Sequence, residues 1–467
     1  MHYAQGKVQG LKVAYIGGGS RGWAWGFMKD LAMDAQMDGV VRLYDIDRDA
    51  AEKNRQIGGM ISAHSGAKAK WRYEVSETLA QALSGVDFVV ISILPGTFRE
   101  MRSDVHCPEA YGVWQPVGDT VGPGGFMRAM RTVPMFVQIA QAIRDHAPDA
   151  WVINYTNPMT VCMRTLYAVF PAIRAFGCCH EVFGTQKLLA AMLEDMEGIK
   201  GAERADIKTG VTGINHFTWL YSASYQGHDL FPLYERFVNK YYETGFTKGK
   251  DENWMNNFFE CSHRVKFDLF RRYGLIAAAG DRHLAEFMPP WYLKNPETAR
   301  AWGFSLTTVD WREADLEKRL QKREALLSGK EPVTLDGSGE EGHLLIKALL
   351  GLGDIVSNVN IPNRGQITNL PMDAVVETNA LFRKNEIAPI LAGALPQGVD
   401  ALVTRHVLGQ ETAVKAAMTR DYSLALRAFL NDPQMAAVSP ADGERLFREM
   451  LGNTAEYLPV EWEAALR

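Results

Sequence analysis

A glycine-rich segment near the N-terminus has the residue types and spacing to hold the phosphates of a nucleotide. Gly17-Gly18-Gly19-Ser20-Arg21-Gly22 follows an apolar run at residues 12–16 and precedes a predicted helix. Glycines here permit a tight turn, close approach of the backbone to a pyrophosphate, and close packing of the helix on its strand. The first amides of the helix would point at the phosphates. The residues expected to contact a dinucleotide are Gly17, Gly19, Ser20 and Gly22. The alternative is a glycine-rich turn in an ordinary α/β protein.

An acidic residue after the next predicted strand indicates which dinucleotide would bind. Asp45 follows the apolar run at residues 40–44, one strand–helix–strand unit after the glycine-rich segment. A carboxylate at this position accepts hydrogen bonds from the ribose hydroxyls and repels a 2′-phosphate. The sequence therefore favours NAD over NADP.

Two asparagines follow a predicted strand at residues 151–155. Asn154 and Asn157 belong to the segment Asn-Tyr-Thr-Asn-Pro. An asparagine amide offers a donor and an acceptor together, which suits a sugar hydroxyl or a nicotinamide amide. Because strand ends on this side of a parallel sheet face the ligand, we expect Asn154 to contact the dinucleotide. A turn built on the Asn-Pro pair is the alternative.

Cysteine and histidine occur together in two later segments. These are Cys178-Cys179-His180-Glu181-Val182 and Gly213-Ile214-Asn215-His216-Phe217. Neither segment contains a zinc pattern such as C-x-x-C or H-E-x-x-H. A thiolate and an imidazole from such distant segments could bind one metal ion and leave positions open for substrate oxygens. The alternative is a pair of packing cysteines and a buried core histidine.

Two further segments present a choice between a ligand site and an ordinary connection. Asp281-Arg282-His283 follows the small residues 277–280 and predicts either a cleft wall or an exposed turn. The glycine- and proline-rich residues 117–125 predict either a ligand loop at a strand end or a surface connection.

The first half of the chain alternates between predicted strands and helices. Strands are predicted at residues 12–16, 40–44, 86–93, 151–155 and 174–178, and helices at 24–35, 50–64, 126–146 and 159–168. This alternation predicts a parallel sheet covered on both faces. In the second half we expect a strand at 211–225, an extended segment at 374–382, and helices at 254–273, 310–327, 338–351 and 402–430.

These patterns predict an α/β fold of two domains. Residues 1–200 are expected to form an NAD-binding, Rossmann-type doubly wound sheet, and residues 201–467 an α+β domain that holds substrate and metal and supports oligomerisation. The net charge of −5 and the absence of a basic arm exclude nucleic acid as the expected partner. No apolar run is long enough for a membrane span. Five cysteines, two of them adjacent, and the lack of a signal-peptide core predict a reduced, cytoplasmic protein.

Taken together, these segments resemble glycoside hydrolase family 4, whose members depend on NAD and a divalent metal. The resemblance rests on residues 13–22, 118–125, 154–158, 179–182, 215–216, 280–287, 363–366 and 370–371. It implies a fold like that of lactate and malate dehydrogenases. It also implies a reaction in which NAD takes hydride from C3 of the sugar and so makes the C2 proton acidic. Mn²⁺ stabilises the enediolate, the C1 substituent leaves, water adds, and the hydride returns.

The resemblance also implies roles for individual residues. Cys179 and His216 match the metal ligands, and Asp281 matches the base that takes the C2 proton. Asn157 is implied to contact the sugar. His180 follows the ligand cysteine and is a candidate general acid in contact with the substrate, because histidine can donate a proton at neutral pH.

The tetrapeptide Cys179-His180-Glu181-Val182 most resembles the branch of the family that acts on α-galacturonides. The C6 carboxylate of a uronate would require an arginine or a lysine. The candidates are Arg99, Arg128 and Arg282, which the sequence does not rank; Arg282 is included among the expected substrate contacts. The negative charge of Glu181 would repel a uronate carboxylate, so Glu181 is expected to support the site without contacting the substrate.

The expected function is therefore an NAD- and Mn²⁺-dependent α-galacturonidase that acts on a small α-glycoside and assembles as a homodimer or homotetramer. An α-galactosidase or α-glucuronidase of the same family is the nearest alternative. A dehydrogenase of the lactate/malate type, which would release NADH, is a second. A non-catalytic NAD-binding sensor is a third.

Overall fold

Short runs of apolar residues form the strands of a computed structural model that describes residues 1–248 and 260–462. In chain order the strands are β1 (His2–Ala4), β2 (Lys7–Ile16), β3 (Met37–Tyr44), β4 (Trp71–Val75), β5 (Phe88–Ile91), β6 (Trp151–Asn154), β7 (Arg174–Gly177), β8 (Ile207–Ile214), β9 (Phe217–Tyr225), β10 (His228–Asp229), β11 (Ile276–Ala277), β12 (Ile355–Pro362), β13 (Val375–Arg383) and β14 (Glu386–Pro389).

The α-helices lie between these strands and after them. They are α1 (Trp23–Met33), α2 (Arg48–Ala63), α3 (Leu79–Leu83), α4 (Phe98–His106), α5 (Gly122–His146), α6 (Met159–Val169), α7 (Glu181–Glu197), α8 (Phe231–Tyr241), α9 (Arg264–Tyr273), α10 (Asp281–Phe287), α11 (Pro296–Ala301), α12 (Val309–Leu327), α13 (Gly342–Leu349), α14 (Val399–Thr419), α15 (Tyr422–Leu430) and α16 (Pro440–Asn453). Across the described ranges, every helix falls short of the length or the apolar character that crossing a bilayer requires.

The larger sheet has the strand order β4-β3-β2-β5-β6-β7-β12-β13-β14, with β1 beside β2. The strands from β4 to β7 in this order pair in parallel. By their order in the chain they are arranged 3-2-1-4-5-6, which is the order of the doubly wound dinucleotide-binding fold. The glycine-rich segment follows β2, where the strand order reverses and where such sheets bind ligands. The predicted α/β fold is confirmed.

Helices cover both faces of this sheet, as the alternation of elements predicts. Leu31 of α1 and Ile57 of α2 pack with Val41 on one face. Phe136 of α5 and Leu166 of α6 pack on the opposite face. Each such side chain, once fully buried, stabilises the fold by ~1.5–3 kcal/mol. The strands are therefore fixed between two apolar layers, and their carboxyl ends are left to carry polar residues.

The second half of the chain joins the first through the larger sheet. Strand β12 pairs antiparallel with β7, and β13 and β14 continue the sheet as an antiparallel meander. A smaller sheet of β8, β9, β10 and β11 lies in the same half. The sheet thus crosses residue 200, and a division of the chain at that residue stays a prediction.

Two predictions for the second half were wrong in detail. Residues 211–225 do not form one strand, because Asn215 and His216 make a tight turn between β8 and β9. Residues 402–430 are two helices, because Arg420 adopts a left-handed backbone conformation that ends α14. The predicted helix at 254–273 lies partly outside the described residues, and its described part forms α9.

Candidate active site

The glycine-rich segment turns sharply at the carboxyl end of β2. The amides of Gly17 and Gly18 both donate to the carbonyl oxygen of Tyr44, each at 2.9 Å. Gly17 has a φ of +90°, and a Cβ atom there would overlap the carbonyl oxygen of Ser92. Only glycine tolerates this conformation and this close approach together. The end of β3 and the end of β5 therefore fix the turn.

Asn54 of α2 supports the same turn from inside the protein. Its amide donates to the carbonyl oxygens of Gly18 at 2.7 Å and Ser20 at 2.9 Å, and its oxygen accepts the indole N–H of Trp25 at 2.7 Å. The side chain is fully buried and all of its polar groups are used. The turn is thus held in place by the protein itself.

Asp45 follows β3 and faces the turn. Oδ2 accepts the N–H of Gly19 at 2.8 Å, and Oδ1 accepts the N–H of Asp47 at 2.9 Å. Each carboxylate oxygen can accept further hydrogen bonds. These contacts bring Asp45 and the glycine-rich turn together, as a shared role in binding a dinucleotide requires.

We expect Asp45→Ala to weaken NAD binding by ~10- to 100-fold, because hydrogen bonds to a charged acceptor are worth ~1.5–3 kcal/mol. Calorimetric titration with NAD measures the effect. Asp45→Asn is the matched control, since its amide oxygen can still accept the N–H of Gly19, while the charge and the acceptor for the N–H of Asp47 are lost. Equal NAD affinity in Asp45→Ala and the unchanged protein would show that this carboxylate does not bind the ribose.

The two asparagines at the carboxyl end of β6, Asn154 as its last residue and Asn157 in the turn that follows, have different surroundings. Asn154 is fully buried, and its amide donates to the carbonyl oxygen of Thr156 at 3.0 Å and contacts the sulfur of Met159 at 3.1 Å. These bonds shape the turn, and contact of Asn154 with a dinucleotide stays a prediction. Asn157 is partly exposed and donates to Oδ2 of Asp119 at 3.4 Å.

Asp119 belongs to residues 117–125, which form a loop up to Val121 and then the first turn of α5, and which are buried except at Asp119. Oε1 of Glu286 accepts the amides of Val117 at 2.7 Å and Gly118 at 2.8 Å. Burial raises the pKa of Glu286 to about 8, so this carboxyl group is mostly neutral at pH 7. The loop is therefore an anchored part of the site and not a surface connection.

His216 occupies the tight turn between β8 and β9. Its φ of +63° lies in the left-handed region, which side chains other than glycine adopt at a cost. Residues held in this way concentrate at functional sites. Burial, with a further contribution from His283, lowers the pKa of His216 to about 3. The imidazole is therefore neutral, which is the form that binds metal ions.

Thr120 sets the tautomer of His216. The Thr120 hydroxyl donates to Oδ1 of Asp119 at 2.8 Å and lies 3.0 Å from Nδ1 of His216. Because the single hydroxyl hydrogen is used on Asp119, the hydroxyl oxygen accepts the Nδ1–H of His216. Nε2 of His216 is then left with a lone pair, as in most metal-binding histidines.

Asp119, His216 and His283 form a group whose potential ligand atoms all lie within 4.8 Å of one another. The rings of the two histidines are 3.8 Å apart between centres. Nδ1 of His283 is buried and has no hydrogen-bond partner among the described residues. A buried polar atom left in this state costs free energy, and a cation would satisfy it. Two imidazoles and a carboxylate are a common ligand set for divalent first-row metal ions, so the residues fit a divalent cation.

Cys179, the other implied ligand, follows β7. Within the described residues it is not a member of the three-residue group. Burial raises the pKa of its thiol well above the ordinary value, and the carboxylates of Glu377 and Glu181 add to this effect. A hydrogen bond with Asn215 lowers it, so Cys179 lies beside the turn that carries His216. A cation bound here would have to displace the thiol proton.

Glu181 contacts the segment that carries His283. Oε2 accepts the N–H of Gly280 at 2.7 Å, and Oε1 lies 3.9 Å from Nε2 of His283. Burial opposes ionisation of Glu181, but His283 and His216 bring its pKa below the ordinary value. The carboxylate therefore faces the histidines, in agreement with the indirect role expected from its sign.

His180 lies between the candidate cation group and the glycine-rich turn. Its ring stacks on Trp23, with 5.8 Å between centres, and its Nδ1 is 3.1 Å from Oε1 of Glu340. The hydrogen bond with Glu340 raises the pKa of His180. The half-exposed imidazole thus retains a proton more readily than a free histidine does.

Asp281 begins α10 and is fully buried. Oδ2 accepts the amide of Val265 at 3.2 Å and Oδ1 accepts the amide of Lys266 at 3.0 Å, both in the first turn of α9. Burial raises the pKa of Asp281 to about 6, which suits a general base at neutral pH. Because both oxygens face α9, the carboxylate stabilises that helix, and its catalytic role stays a prediction.

The structure separates the arginines that the sequence left unranked. Arg99 is exposed and pairs with Glu456 at 3.0 Å. Arg128 and Arg282 are buried, and each interacts electrostatically with Asp119. Arg128 and Arg282 therefore remain candidates to bind a substrate carboxylate, whereas Arg99 forms an ion pair with Glu456 on the surface.

Sequence reasoning gave no role to Asp119, Thr120 or His283, which all lie in this group. Asp119 and Thr120 lie in a loop whose glycines and prolines marked it only as a possible ligand loop. His283 lies two residues after Asp281, in a segment that read equally well as an exposed turn. All three residues lie inside segments that carry the family resemblance, residues 118–125 and 280–287, but the resemblance assigned no role to them individually.

These features define a Rossmann-type protein in which a dinucleotide site adjoins a candidate cation site. Residues 12–195 match the family described as Family 4 glycosyl hydrolase, and residues 211–435 match the Family 4 glycosyl hydrolase C-terminal domain. The chain belongs to glycosyl hydrolase family 4, and the family expected from the sequence is confirmed.

Relatives span almost the whole chain. It is 60% identical over 459 residues to an alpha-galacturonidase of Thermoanaerobacterium saccharolyticum, covering 98% of each chain. It is 53% identical over 441 residues to an alpha-galacturonidase of Bacillus subtilis, covering 94% of this chain and 97% of the relative. An alpha-galactosidase of Bacillus subtilis is 28% identical over 96% of this chain and 99% of the relative.

Solved structures support the fold. The crystal structure of the Bacillus subtilis protein lplD superimposes with a TM-score of 0.91 at 53% identity, over 95% of this chain and all of that one. A 6-phospho-alpha-glucosidase from gut microorganisms, solved in complex with NAD and Mn²⁺, gives a TM-score of 0.80 at 20% identity, over 96% of this chain and 99% of that one. The second likeness shows the shared fold.

Proposed function

We propose that this chain cleaves α-galacturonides as an NAD- and Mn²⁺-dependent glycosidase. The observation that carries the proposal is the group of Asp119, His216 and His283, in which a strained, neutral histidine lies next to Asn215, the hydrogen-bond partner of Cys179. Relatives named alpha-galacturonidase, 51–60% identical to this chain, support the choice of substrate.

The residues that would hold the two cofactors belong to separate segments. The glycine-rich turn and Asp45 would hold NAD. Cys179 and His216 remain the proposed Mn²⁺ ligands, and Asp119 and His283 are added to them by their positions. When bound, NAD accepts and returns a hydride and Mn²⁺ stabilises negative charge on the sugar oxygens.

The remaining residues would bind the sugar and move protons. Asp281 takes the C2 proton. His180 donates a proton to the departing glycosidic oxygen, and its ion pair with Glu340 supports this role. Asn157 and Arg282 contact the sugar, and both lie beside Asp119.

The function is tested with a nitrophenyl α-galacturonide, NAD⁺ and Mn²⁺. We expect nitrophenol release without net NADH accumulation, and loss of that release after removal of the metal with EDTA. Nitrophenyl α-galactoside and α-glucuronide are the matched substrates that separate the family alternatives. NADH accumulation in proportion to substrate, without nitrophenol, would support the dehydrogenase alternative. No turnover with intact NAD binding would support the sensor.

The Asp281→Asn variant should slow exchange of the sugar C2 proton with solvent by ~100-fold or more, the usual contribution of a general base. Deuterium incorporation at C2 in D₂O measures it, and NAD affinity should not change. Asp432→Asn is the matched control, because Asp432 is a partly buried carboxylate that also accepts two backbone amides, those of Gly122 and Gln434. Normal deuterium incorporation in Asp281→Asn would exclude Asp281 as the base.

We also propose a cytoplasmic protein that assembles as a homodimer or homotetramer. All five cysteines are unpaired, which is typical of proteins in reducing compartments. Light scattering of the purified protein would give the assembly state.

A further inference from the structure

Three arginines meet around Asp119, and one of them was not among the sequence candidates. Arg128 of α5 donates from Nε to the carbonyl oxygen of Asn157 at 3.2 Å. Arg312, in the first turns of α12, donates from Nη2 to the carbonyl oxygen of Val117 at 3.2 Å. Arg282 of α10 is the third. Asp119 lies between these contacts, two residues after Val117 and hydrogen-bonded to Asn157.

Positive charge exceeds negative charge at this point of the site. Burial lowers the pKa of each of the three arginines, and Asp119 acts in the opposite direction on all of them. The charge of Arg312 lowers the pKa of Arg128, and the charge of Arg282 lowers the pKa of Arg312, so the three guanidinium groups are neighbours. Glu286 lies next to Arg312 and Arg282 but is mostly neutral at pH 7. Asp119 acts on all three guanidinium groups, Glu181 also acts on Arg282, and Asp104 acts on Arg128 but is paired with Arg131. Counting Arg131, four guanidinium groups face three carboxylates, and a buried excess of charge is costly unless an anion compensates it.

Arg312 also has a donor that the protein does not use. Its Nε is buried and has no hydrogen-bond partner in the described part of the chain. Guanidinium groups donate from Nε and an Nη atom as a fork that matches the two oxygens of a carboxylate. With one Nη already held by Val117, the fork is fixed in orientation before any ligand arrives.

We propose that Arg312, together with Arg128, binds the C6 carboxylate of the substrate and so determines specificity for uronides. The proposal rests on the proposed function and adds to it the side chain, carried by α12, that selects the substrate. A neutral C6 hydroxymethyl group would leave Asp119 as the anion that these two guanidinium groups share. A C6 phosphate shares the anionic chemistry of a carboxylate, but it is bulkier and carries more charge.

The test compares Arg312→Gln with the unchanged protein on nitrophenyl α-galacturonide, α-galactoside and α-galactoside 6-phosphate. We expect kcat/KM for the galacturonide to fall by ~100-fold, the usual cost of truncating one partner of a buried charge pair. The galactoside should change by less than threefold, so that selectivity is lost. Arg312→Lys keeps the charge without the fork and should retain an intermediate preference for the galacturonide.

Arg102→Gln is the matched control. Arg102 pairs with Asp310 at 2.7 Å and Glu313 at 3.1 Å on the exposed side of α12, so this variant loosens the docking of the helix without touching the arginine cluster. It should keep the preference of the unchanged protein. Equal losses on galacturonide and galactoside in Arg312→Gln, or an unchanged preference, would overturn the proposal. A preference for the 6-phosphate in the unchanged protein would assign the cluster to a phosphate.

A binding measurement separates this proposal from the proposed function. Free galacturonate should bind the NAD-loaded protein, and Arg312→Gln should weaken that binding by ~100-fold while NAD affinity and melting temperature stay unchanged. If the unchanged protein cleaves no galacturonide but loses galacturonate binding in Arg312→Gln, the proposed function fails and the carboxylate site stands. If cleavage is normal and both proteins bind galacturonate equally, only the carboxylate site fails.

Discussion

In the His216→Asn variant we expect Mn²⁺ affinity to fall by ~100-fold or more, since loss of even an indirect partner of a metal ligand costs 10- to 100-fold. Turnover should fall with it. Asparagine tolerates the left-handed backbone of the turn between β8 and β9, so the substitution removes the imidazole and keeps the hairpin. Titration of Mn²⁺ followed by electron paramagnetic resonance measures binding without relying on activity.

His263→Asn is the matched control for this prediction. His263 also has a φ of +63°, and burial lowers its pKa to about 3, as it does for His216. It lies outside the group of Asp119, His216 and His283. We expect Mn²⁺ affinity to be unchanged in His263→Asn. Equal losses in the two variants would attribute the effect to strained histidines in general and not to a metal ligand.

Two companion variants decide which side chains complete the cation site. Cys179→Ser should weaken Mn²⁺ binding because a neutral hydroxyl replaces a thiolate poorly. His283→Ala should weaken it because Nδ1 of His283, which has no partner among the described residues, would be lost. If only Cys179→Ser affects the titration, His283 is not a ligand; if only His283→Ala does, Cys179 is not a ligand.

The nucleotide-binding half was predictable because its signals are local. The glycine-rich segment, the apolar strands and Asp45 lie within one strand–helix–strand unit, and the structure keeps them together. Gly17 must be glycine for reasons visible within a few residues. The fold of this half and the expected position of the nucleotide site could therefore both be predicted from residues close together in the sequence.

The candidate cation site was harder to predict because it is built from distant segments. Asp119, His216 and His283 come from a loop before α5, a hairpin turn and a short helix. The turn was missed because residues 211–225 are apolar on both sides of Asn215, and a continuous apolar run does not reveal a reversal of the chain. Arg312 was missed for a similar reason, since it lies in a charged helix that resembles a solvated face.

Arg131→Met should cost ~3–5 kcal/mol of the free energy of unfolding, the usual result of leaving one member of a buried ion pair alone. Arg131 has no exposed surface; Nη1 and Nη2 bind Oδ1 and Oδ2 of Asp104 at 3.0 and 2.5 Å. Its Nε donates to the carbonyl oxygen of Pro95 at 2.9 Å, in the loop after β5. The substitution therefore leaves a buried carboxylate unpaired and releases a loop at the carboxyl edge of the sheet. Urea unfolding at neutral pH measures the loss.

The pH dependence and a second substitution identify the cause of that loss. Burial already raises the pKa of Asp104, and without Arg131 it must rise further. The variant then keeps a proton that the unchanged protein has lost, so its relative stability falls as pH rises from the pKa of Asp104 in the unchanged protein, already above the ordinary value, to the higher pKa in the variant. The deficit should thus be larger at pH 8 than at pH 5.

Adding Asp104→Leu should recover most of the lost stability. Arg144→Met, at an exposed pair with Asp145 on the same helix, should change stability by less than ~0.5 kcal/mol. A deficit that stays constant with pH and survives Asp104→Leu would place the cost in lost packing around α5 and not in the unpaired charge.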